Sequence, residues 1–529
     1  MAYFDVLIKN GMIFNGKGDP AERADIGINR DKIDEIGDLQ KDTAREIIDA
    51  GGKYICPGFV DITSHSDTHW TLFTEPSQES LIRQGITTIL GGNCGFSITP
   101  IIKVAGLKGI KKWTDISNVN VNWETVGEML DELERHKLGV NFATLVGLNT
   151  LQDQVEDARQ LKFLLEKSLK EGAFGVSTNL GLAGGVQLNG DDLSELLKLL
   201  KKNEGIAKHH LEDEGKNILP ALSRLISLAR ETETKTVISH FKILGKGSWS
   251  FFGQALEMMR NARHEGVDIF CDFFPYERTG SNLFSFLPLW LTRMNEKEIM
   301  EILRDKNNPP DGEAGKRRQE VIDYLKSITL HYDKITIASS AHRSRNIGKT
   351  IAEISVAENI APEEVILNLL ETNNLGVSIF SEVINIEHVF NLAKEDYSVV
   401  SSDGVGYSKL KAESSKQKAD LPHPRSFGAF PKALKLFARE KQILPWEAVI
   451  HKMTGLPAGI LGIKDRGVLE VGKKADIIIF NPNEISDYST YDSPSQFSKG
   501  IESVLVNGSI ILADNEMTGR FAGRVLRKK

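Results

Sequence analysis

Hydrophobic and polar residues alternate with a period of two near both ends of this chain. The alternation runs through "YFDVLIKNGMIFNG" and "ADIGINRDKIDEIGDL" in the first 57 residues, and through "KKADIIIFNP" and "IESVLVNGSIILAD" close to the last residue. This pattern is typical of half-buried strands, and the Asn-Gly pairs within it predict tight turns. Since chain termini often lie close together, we expect the two ends to form one small sheet domain.

The middle of the chain alternates short apolar runs with stretches of helical periodicity, such as 191–203 and 219–233. Eight of the apolar runs predict strands, at 59–63, 87–91, 140–147, 173–178, 205–210, 235–240, 267–274 and 397–402. Strands that alternate with helices are typical of βαβ units in a parallel sheet. Eight such units in succession favour a (β/α)8 barrel over an open doubly wound sheet.

The gap between the seventh and eighth predicted strands is too long for a single helix. Residues 277–334, which contain "NNPPDGEAGKRR", are therefore expected to be an insertion of helices and loop. After the eighth strand, the lysine-rich segment 409–420 is predicted to be a solvated loop.

Composition and charge narrow the class of protein. With 529 residues the chain is longer than one hydrophobic core usually serves. Its 65 basic and 72 acidic residues give a net charge of −7 and are spread along the chain, which argues against a nucleic-acid surface. Three cysteines are too few for a disulfide framework and indicate a reducing compartment. Because an apolar signal core and a run of about 18–20 apolar residues are both missing, we expect a cytoplasmic protein without nucleic-acid or membrane partners. The sequence does not indicate an oligomeric state.

Residues of metal-ligand or acid–base type follow five of the predicted strands. They are His65 after strand one, Cys94 after strand two, His210 at the end of strand five, His240 at the end of strand six and Asp403 after strand eight. In a barrel the carboxyl ends of the strands meet on one face, where functional side chains lie. A lone cysteine is usually a small buried apolar residue, so it is the shared location that predicts a metal site.

The predicted ligands indicate which metal the site prefers. One thiolate with imidazoles and a carboxylate suits zinc and disfavours magnesium or calcium. Zinc with three protein ligands and an open coordination position is of the catalytic kind. His209 and His210 are adjacent and point to opposite faces of a strand, so only one of them can enter the site. Their spacing does not tell which one.

The chain resembles the D-aminoacylases, the N-acyl-D-amino-acid deacylases of the amidohydrolase superfamily. The matching segments, in order, include "PGFVDITSHSD", "QGITTILGGNCGFSITP", "EGAFGVST", "HHLEDEG", "SHFK", "DFFPY", "SSDG", "HPRSFGAFPKAL" and "MTGLPAGILGIKDRGVLEVGKKADIIIFNP". The resemblance covers nearly the whole chain, and "GNCG" combined with "SSDG" and "HPR" is quite specific to this branch. It implies a (β/α)8 barrel at 58–457 and a small β-sandwich built from residues 1–57 and 458–529.

The resemblance also implies an activity, the zinc-dependent hydrolysis of N-acyl-D-amino acids to a carboxylate and a D-amino acid. The zinc ligands that it implies are Cys94, His210 and His240. His210 is preferred over His209 because the family's His-x-x-x-Glu pattern runs from His210 to Glu214.

Three further residues match functional positions of the family. Asp403 matches the aspartate that handles protons. Lys242 and Tyr276 match positions suited to holding the carboxylate and acyl ends of the substrate.

The chain departs from the family at the end of strand one, where a His-x-His pair is replaced by Thr63 and His65. A threonine hydroxyl is a poor zinc ligand, so we expect one zinc per chain, with His65 facing the pocket and a second, weaker metal site impaired. Asp67 is expected to support His65 from the same strand face, about 6.6 Å away. Leu148 stands where the family usually has histidine, and "STNLGLAGG" at 177–185 also differs, which leaves the identity of the substrate open.

Two alternative functions stay open. The altered segment after strand four suggests a related amidohydrolase that acts on a cyclic amide, like dihydropyrimidinases and hydantoinases, or on a dipeptide. Thr63 and Leu148 suggest a non-catalytic scaffold of the same fold. Against the scaffold, a degenerating site would be expected to lose some of its ligand and acid–base residues, and here they are retained.

Overall fold

The computed structural model describes residues 2–111, 120–181, 188–292, 294–306, 312–328, 330–340, 342, 344–408 and 420–529. The lysine-rich segment predicted to be a solvated loop lies outside these residues except for Asp420. The strands of the described chain are β1 (Tyr3–Ile13), β2 (Glu22–Asn29), β3 (Lys32–Gly37), β4 (Thr43–Asp49), β5 (Tyr54–Pro57), β6 (Phe59–Asp61), β7 (Ile86–Gly91), β8 (Asn141–Thr144), β9 (Val146–Gly147), β10 (Gly175–Asn179), β11 (Ile206–His210), β12 (Lys235–Ile238), β13 (Ile269–Phe273), β14 (Arg278–Asn282), β15 (Ile335–Ser340), β16 (Val377–Glu382), β17 (Ser398–Val400), β18 (Ile477–Phe480), β19 (Ile501–Val506), β20 (Ser509–Ala513) and β21 (Glu516–Met517).

The helices lie mainly between the strands of the central part of the chain. They span Thr71–Thr74, Glu79–Ile82, Lys108–Lys111, Val126–Arg135, Leu148–Gln152, Ala158–Lys170, Gly190–Lys202, Ile218–Thr232, Phe252–His264, Leu289–Thr292, Glu296–Arg304, Gly312–Ser327, Ile351–Glu358, Pro362–Thr372, Ile386–Lys394, Arg425–Ala433, Trp446–His451 and Gly455–Leu461, with a π-helical turn at Leu434–Glu440. Several begin at a capped residue, as at Asn189, whose side chain accepts a hydrogen bond from the backbone N–H of Asp192 at 2.8 Å. Within the described residues, none of the helices has both the length and the hydropathy needed to cross a membrane.

The two ends of the chain form one nine-stranded sheet, in the order β21-β20-β19-β18-β5-β1-β2-β3, with β4 beside β1. Antiparallel pairing of β5 with β18 joins the N-terminal strands to the C-terminal ones. The inward residues of the alternating segments, such as Ile8, Ile55 and Ile477, are fully buried against one another. The period-two pattern of the sequence therefore identifies the buried face of this sheet.

Two of the Asn-Gly pairs in the terminal segments, Asn10-Gly11 and Asn507-Gly508, have different structures. Asn507 and Gly508 both have positive φ angles, 47° and 77°, and form the two-residue turn between β19 and β20, as predicted. The turn predicted at Asn10-Gly11 is wrong, because β1 continues through it with a register shift between Ile8 and Gly11. Asn10 has a φ of 66° and its backbone N–H donates to Asp25 at 2.9 Å, so the pair forms a bulge within one long strand.

Each of the eight strands predicted in the middle of the chain overlaps an observed parallel strand. They pair in the orders β6-β7-β8 and β9-β10-β11-β12-β13-β17, where β8 and β9 are successive parts of one predicted strand. The first and last of them meet at a bridge between Ser64 and Gly404, and the backbone N–H of Ser402 donates to Asp61 at 3.0 Å. The loops that follow these parallel strands therefore lie together at the carboxyl ends of the strands.

Between β13 and β17 the chain forms a separate unit with its own hydrophobic cluster, which extends from Leu283 to Ile379. It contains a three-stranded antiparallel sheet in the order β14-β16-β15, besides helices. Of these strands only β14 lies within 277–334, where helices and loop were expected; β15 and β16 lie beyond residue 334. The strands form because alternate apolar residues of β15 and β16, such as Ile337 and Ile379, are buried against the neighbouring helices.

Candidate metal and acid–base site

The loop that carries Cys94 makes a sharp turn directly after β7. Gly92, Cys94 and Gly95 have φ angles of 71°, 54° and 83°, all in the left-handed region. A Cβ on Gly92 would lie 2.0 Å from the carbonyl oxygen of Leu145, so only glycine fits at that position. The turn brings the thiol back over the ends of the strands.

Cys94, His210 and His240 form a cluster in which one ligand atom from each residue lies within 4.8 Å of the others. The Cys94 Sγ is 3.3 Å from Nε2 of His240. The imidazole rings of His210 and His240 pack edge to face, with their ring centres 4.5 Å apart. Burial raises the pKa of the Cys94 thiol, but His240 and hydrogen bonds with His210 and His65 hold it well below its ordinary value. The sulfur is therefore set up as a thiolate, the form that binds metals.

The structure brings His210 into this cluster and turns His209 away from it. His209 is fully buried and its Nδ1 lies 2.8 Å from the Thr178 hydroxyl of the neighbouring strand. Burial lowers the pKa of His209 to about 4, so its ring is neutral. Alternation along β11 places the two side chains on opposite faces, as expected for neighbours in a strand.

Lys242 lies behind His240, in contact with Glu214. Its ammonium donates to Glu214 Oε1 at 2.6 Å and lies 2.9 Å from Nδ1 of His240. Burial raises the pKa of Glu214, but Lys242, His210 and His240 hold it well below its ordinary value. These groups contact the Nδ1 side of the His240 ring and leave Nε2 facing the thiol.

Asp403 lies between His65 and Arg425. Its Oδ1 is 3.0 Å from Nε2 of His65 and its Oδ2 is 2.7 Å from Nη1 of Arg425. Burial raises the pKa of Asp403, but Arg425, His240 and His65 lower it well below the ordinary value of an aspartate. Burial lowers the pKa of His65, but contacts with Asp403 and Cys94 outweigh it and raise that pKa to about 10. His65 thus links the carboxylate to the metal-ligand cluster.

Sequence reasoning missed Arg425 as a member of this site. It opens the helix Arg425–Ala433 and is 8% exposed, with its guanidinium 5.0 Å from the ring centre of Phe274. The only signal in the sequence was the tripeptide "HPR", which is weak by itself. A buried arginine needs a carboxylate partner, and the partner could be named only once the fold was known.

Thr63 and Asp67 stand two residues before and two residues after His65, but their side chains hydrogen-bond to other groups. The hydroxyl of Thr63 accepts a hydrogen bond from the buried ammonium of Lys208. Asp67 Oδ2 accepts from the backbone N–H of Gly92 at 2.7 Å, so this carboxylate supports the turn before Cys94. Asp67 therefore hydrogen-bonds to the neighbouring loop, and its interaction with His65 is electrostatic: the His65 charge lowers the pKa of Asp67 against the raising effect of burial.

Tyr276 lies next to the helix that Arg425 opens. It is 1% exposed, and its ring is 4.2 Å from the ammonium of Lys432 and 5.3 Å from the ring of His423. Within the described part of the chain, its hydroxyl has no hydrogen-bond partner. Of the divergent segment 177–185 after the fourth strand, residues 182–185 lie outside the residues that the structure describes.

The donor groups fit a zinc ion. A thiolate and two imidazoles within 4.8 Å of one another match the ligands that zinc prefers. His210 Nδ1 is buried and has no hydrogen-bond partner among the residues that the structure describes. Such an unpaired nitrogen is costly unless a ligand satisfies it, which a metal ion would do.

Comparison with known proteins finds relatives that match this chain over nearly its full length. A sequence profile of the amidohydrolase family matches residues 421–512. The chain is 26% identical to a D-aminoacylase of Alcaligenes xylosoxydans xylosoxydans, over 99% of this chain and 98% of the relative. It is 27% identical to an N-acyl-D-glutamate deacylase of the same organism, over 99% and 96% of the two chains.

A solved structure supports the same relationship. The fold matches the crystal structure of N-acyl-D-glutamate deacylase from Bordetella bronchiseptica with a TM-score of 0.81, at 26% identity, covering 99% of this chain and 100% of that one. That enzyme was complexed with zinc and a phosphonate inhibitor that mimics the tetrahedral intermediate of the reaction. The resemblance seen in the sequence is thereby confirmed over the full length of the chain.

Proposed function

We propose that this chain, which matches the amidohydrolase family profile at 421–512 and is homologous over its full length to D-aminoacylases, hydrolyses N-acyl-D-amino acids with the help of bound zinc. The observation that carries the proposal is the cluster of Cys94, His210 and His240 beside the buried carboxylate of Asp403. The products would be a carboxylate and a D-amino acid.

For the fold we infer a closed (β/α)8 barrel at 58–457 with a β-sandwich of residues 1–57 and 458–529 beside it. The contacts that support closure are the Ser64–Gly404 bridge and the hydrogen bond from Ser402 to Asp61. An insertion that begins near residue 277 interrupts the barrel after its seventh strand. This arrangement explains why the candidate residues, far apart in sequence, share one face.

We assign one zinc ion per chain to Cys94, His210 and His240, with His65 facing it. Bound zinc would polarise the acyl carbonyl and lower the pKa of water towards about 7. The contacts of Lys242 and Glu214 hold the His240 ring with Nε2 towards this position. Such outer contacts are expected to matter for metal affinity, because they fix the orientation of a ligand ring.

Asp403 is the group that we assign to proton transfer. Its low pKa keeps it ionised, so that it can accept a proton from the attacking water. After the proton is taken up, the same carboxyl group can deliver it to the departing amide nitrogen. General acid–base catalysis of this kind contributes about 10²–10⁴ in rate. Arg425 and His65 orient the carboxylate for both steps.

Lys242 and Tyr276 remain our candidates for binding the substrate's carboxylate and acyl ends. The unpaired hydroxyl of Tyr276 supports its assignment, because a buried hydroxyl is stabilised when a ligand supplies a partner. The ammonium of Lys242 already contacts Glu214 and His240. It would reach a substrate carboxylate only by giving up one of these contacts, which makes Tyr276 the simpler of the two assignments.

The test is hydrolysis of a panel of N-acetyl D- and L-amino acids, with dihydropyrimidines and hydantoins beside them, using zinc-free and zinc-loaded protein. We expect the loaded protein to prefer the N-acyl-D-amino acids and Asp403→Ala to lose about 10²–10⁴ in kcat. A preference for the ring substrates would replace the proposal with the cyclic-amide alternative. Absence of both bound zinc and hydrolysis would favour the scaffold, and wild-type-like activity of Asp403→Ala would rule out its assigned role.

A further inference from the structure

A fully buried lysine lies beside the metal-ligand cluster. Lys208 is 0% exposed and stands two residues before His210 on β11, with its side chain on the same face of the strand. Its ammonium donates to the carbonyl oxygen of Ile62 at 2.8 Å and to Oδ1 of Asn93 at 2.9 Å. It also donates to the Thr63 hydroxyl and lies 3.1 Å from Oδ2 of Asp272.

Four oxygen atoms thus surround one positive charge. Carbonyl, hydroxyl, amide and carboxylate oxygens are also the ligand atoms that would surround a bound metal cation. In this chain the ammonium fills that position, and the Asp272 carboxylate provides its counter-charge. A buried lysine without such partners would be strongly destabilising, so the four acceptors and the lysine depend on one another.

Each side-chain partner of Lys208 adjoins a candidate metal ligand. Asn93 directly precedes Cys94 in the turn after β7. Asp272 Oδ1 accepts from the backbone N–H of His240 at 2.9 Å. Thr63 is two residues before His65. The ammonium therefore ties together the backbone segments from which the ligand side chains project.

We propose that Lys208 is a built-in cation that takes the place of a second metal ion beside Thr63, and that it positions the ligands of the single zinc. The inference rests on the zinc site of the proposed function. A second dication near Thr63 would meet the repulsion of a fixed ammonium, and the hydroxyl and carboxylate oxygens there are already engaged. Replacement of a strand-one histidine by Thr63 and the presence of Lys208 are then two parts of one change.

The first experiment measures zinc affinity by competition with a chelating dye, for wild type and Lys208→Met. Asn93 and Asp272 lose their common partner in the variant, so we expect the affinity to fall by about 10–100-fold. Lys452→Met is the matched control, because Lys452 is also buried and donates to backbone oxygens, but those of Glu395 and Ser398 at the start of β17. An equal effect of both variants, or no effect of Lys208→Met, would overturn the positioning role.

The second experiment counts zinc per chain by elemental analysis after gel filtration from excess zinc. We expect one zinc in wild type and in Thr63→His, and two in Thr63→His/Lys208→Ala. If the double variant is not folded by circular dichroism, Thr63→His/Lys208→Met/Asp272→Asn, which removes both buried charges, takes its place with the same expectation. Two zincs in wild type or in Thr63→His, or one in the folded multiple variant, would contradict the inference. A wild type that binds no zinc would instead contradict the proposed function.

Discussion

The guanidinium of Arg425 lies 2.7 Å from the carboxylate of Asp403, and both residues are less than a tenth exposed. A charge pair withdrawn from water in this way depends on both partners, because removal of one leaves the other buried and uncompensated. The pair also lies where the proposed proton transfer takes place. Arg425 is therefore expected to act on catalysis through Asp403.

Replacement of Arg425 by glutamine should lower kcat/KM by about 10²–10³, the range observed when a single preorganised charge or donor is removed from an active site. Zinc content should stay unchanged, because Arg425 does not contact the cluster of Cys94, His210 and His240. The measurements are steady-state kinetics and elemental analysis. Arg466→Gln is the control, since Arg466 is equally buried and paired with Asp476. Arg466→Gln should lower the free energy of unfolding while leaving kcat of the folded protein near wild type. Equal losses of kcat in both variants would contradict a specific role for Arg425.

The thiolate of Cys94 is expected to be indispensable for metal binding. Cys94→Ala removes one of three ligands, so purified protein should retain well under one zinc per chain and lose hydrolytic activity in proportion. Cys271→Ala is the matched control, because Cys271 is a fully buried free thiol of β13 with no place in the cluster. Both variants should be compared by elemental analysis and by circular dichroism. Full zinc content in Cys94→Ala would remove it from the ligand set.

The turn at Gly92 should couple local backbone strain to metal binding. In Gly92→Ala the new Cβ would lie 2.0 Å from the carbonyl oxygen of Leu145 at a φ of 71°, so the loop that carries Cys94 must shift. We expect weaker zinc binding and a loss of unfolding free energy beyond the about 1–2 kcal/mol of left-handed strain alone. Gly472→Ala isolates that strain, since Gly472 has a φ of 86° and open space around it. Urea denaturation and zinc titration of the two variants separate the effects, and identical behaviour would argue against the steric account.

Lys452 should make the stability of the protein depend on pH. Burial lowers its pKa from 10.5 to about 8, although Cys271, Asp396 and Glu395 act in the opposite direction. Between about pH 8 and 10.5 the unfolded chain therefore binds more protons at this residue than the folded one, so the free energy of unfolding rises with pH. The full rise corresponds to about 3 kcal/mol. Urea denaturation across this pH range should show the rise in wild type and not in Lys452→Met; parallel curves would contradict it.

Much of this architecture could be predicted from local patterns. The eight central strands were identified because a strand buried on both faces is a short apolar run whatever it packs against. The positions of His65, Cys94, His210, His240 and Asp403 at strand ends followed from the same pattern. Local information was insufficient at Asn10-Gly11, where a dipeptide identical to the turn at Asn507-Gly508 forms a bulge because β2 and Asp25 hold it in the sheet.

The sequence by itself determined which residue types stand at the ends of the parallel strands, since hydrophobic periodicity is a property of each segment alone. Only the tertiary structure decided their partners: that Lys242 contacts Glu214, that Arg425 contacts Asp403, and that Lys208 fills the space beside Thr63. The partners of these charges are 28, 22 and 145 positions away in the chain. A buried charge is stabilised by whichever opposite charge or polar oxygen the fold places beside it, and no local pattern records that choice.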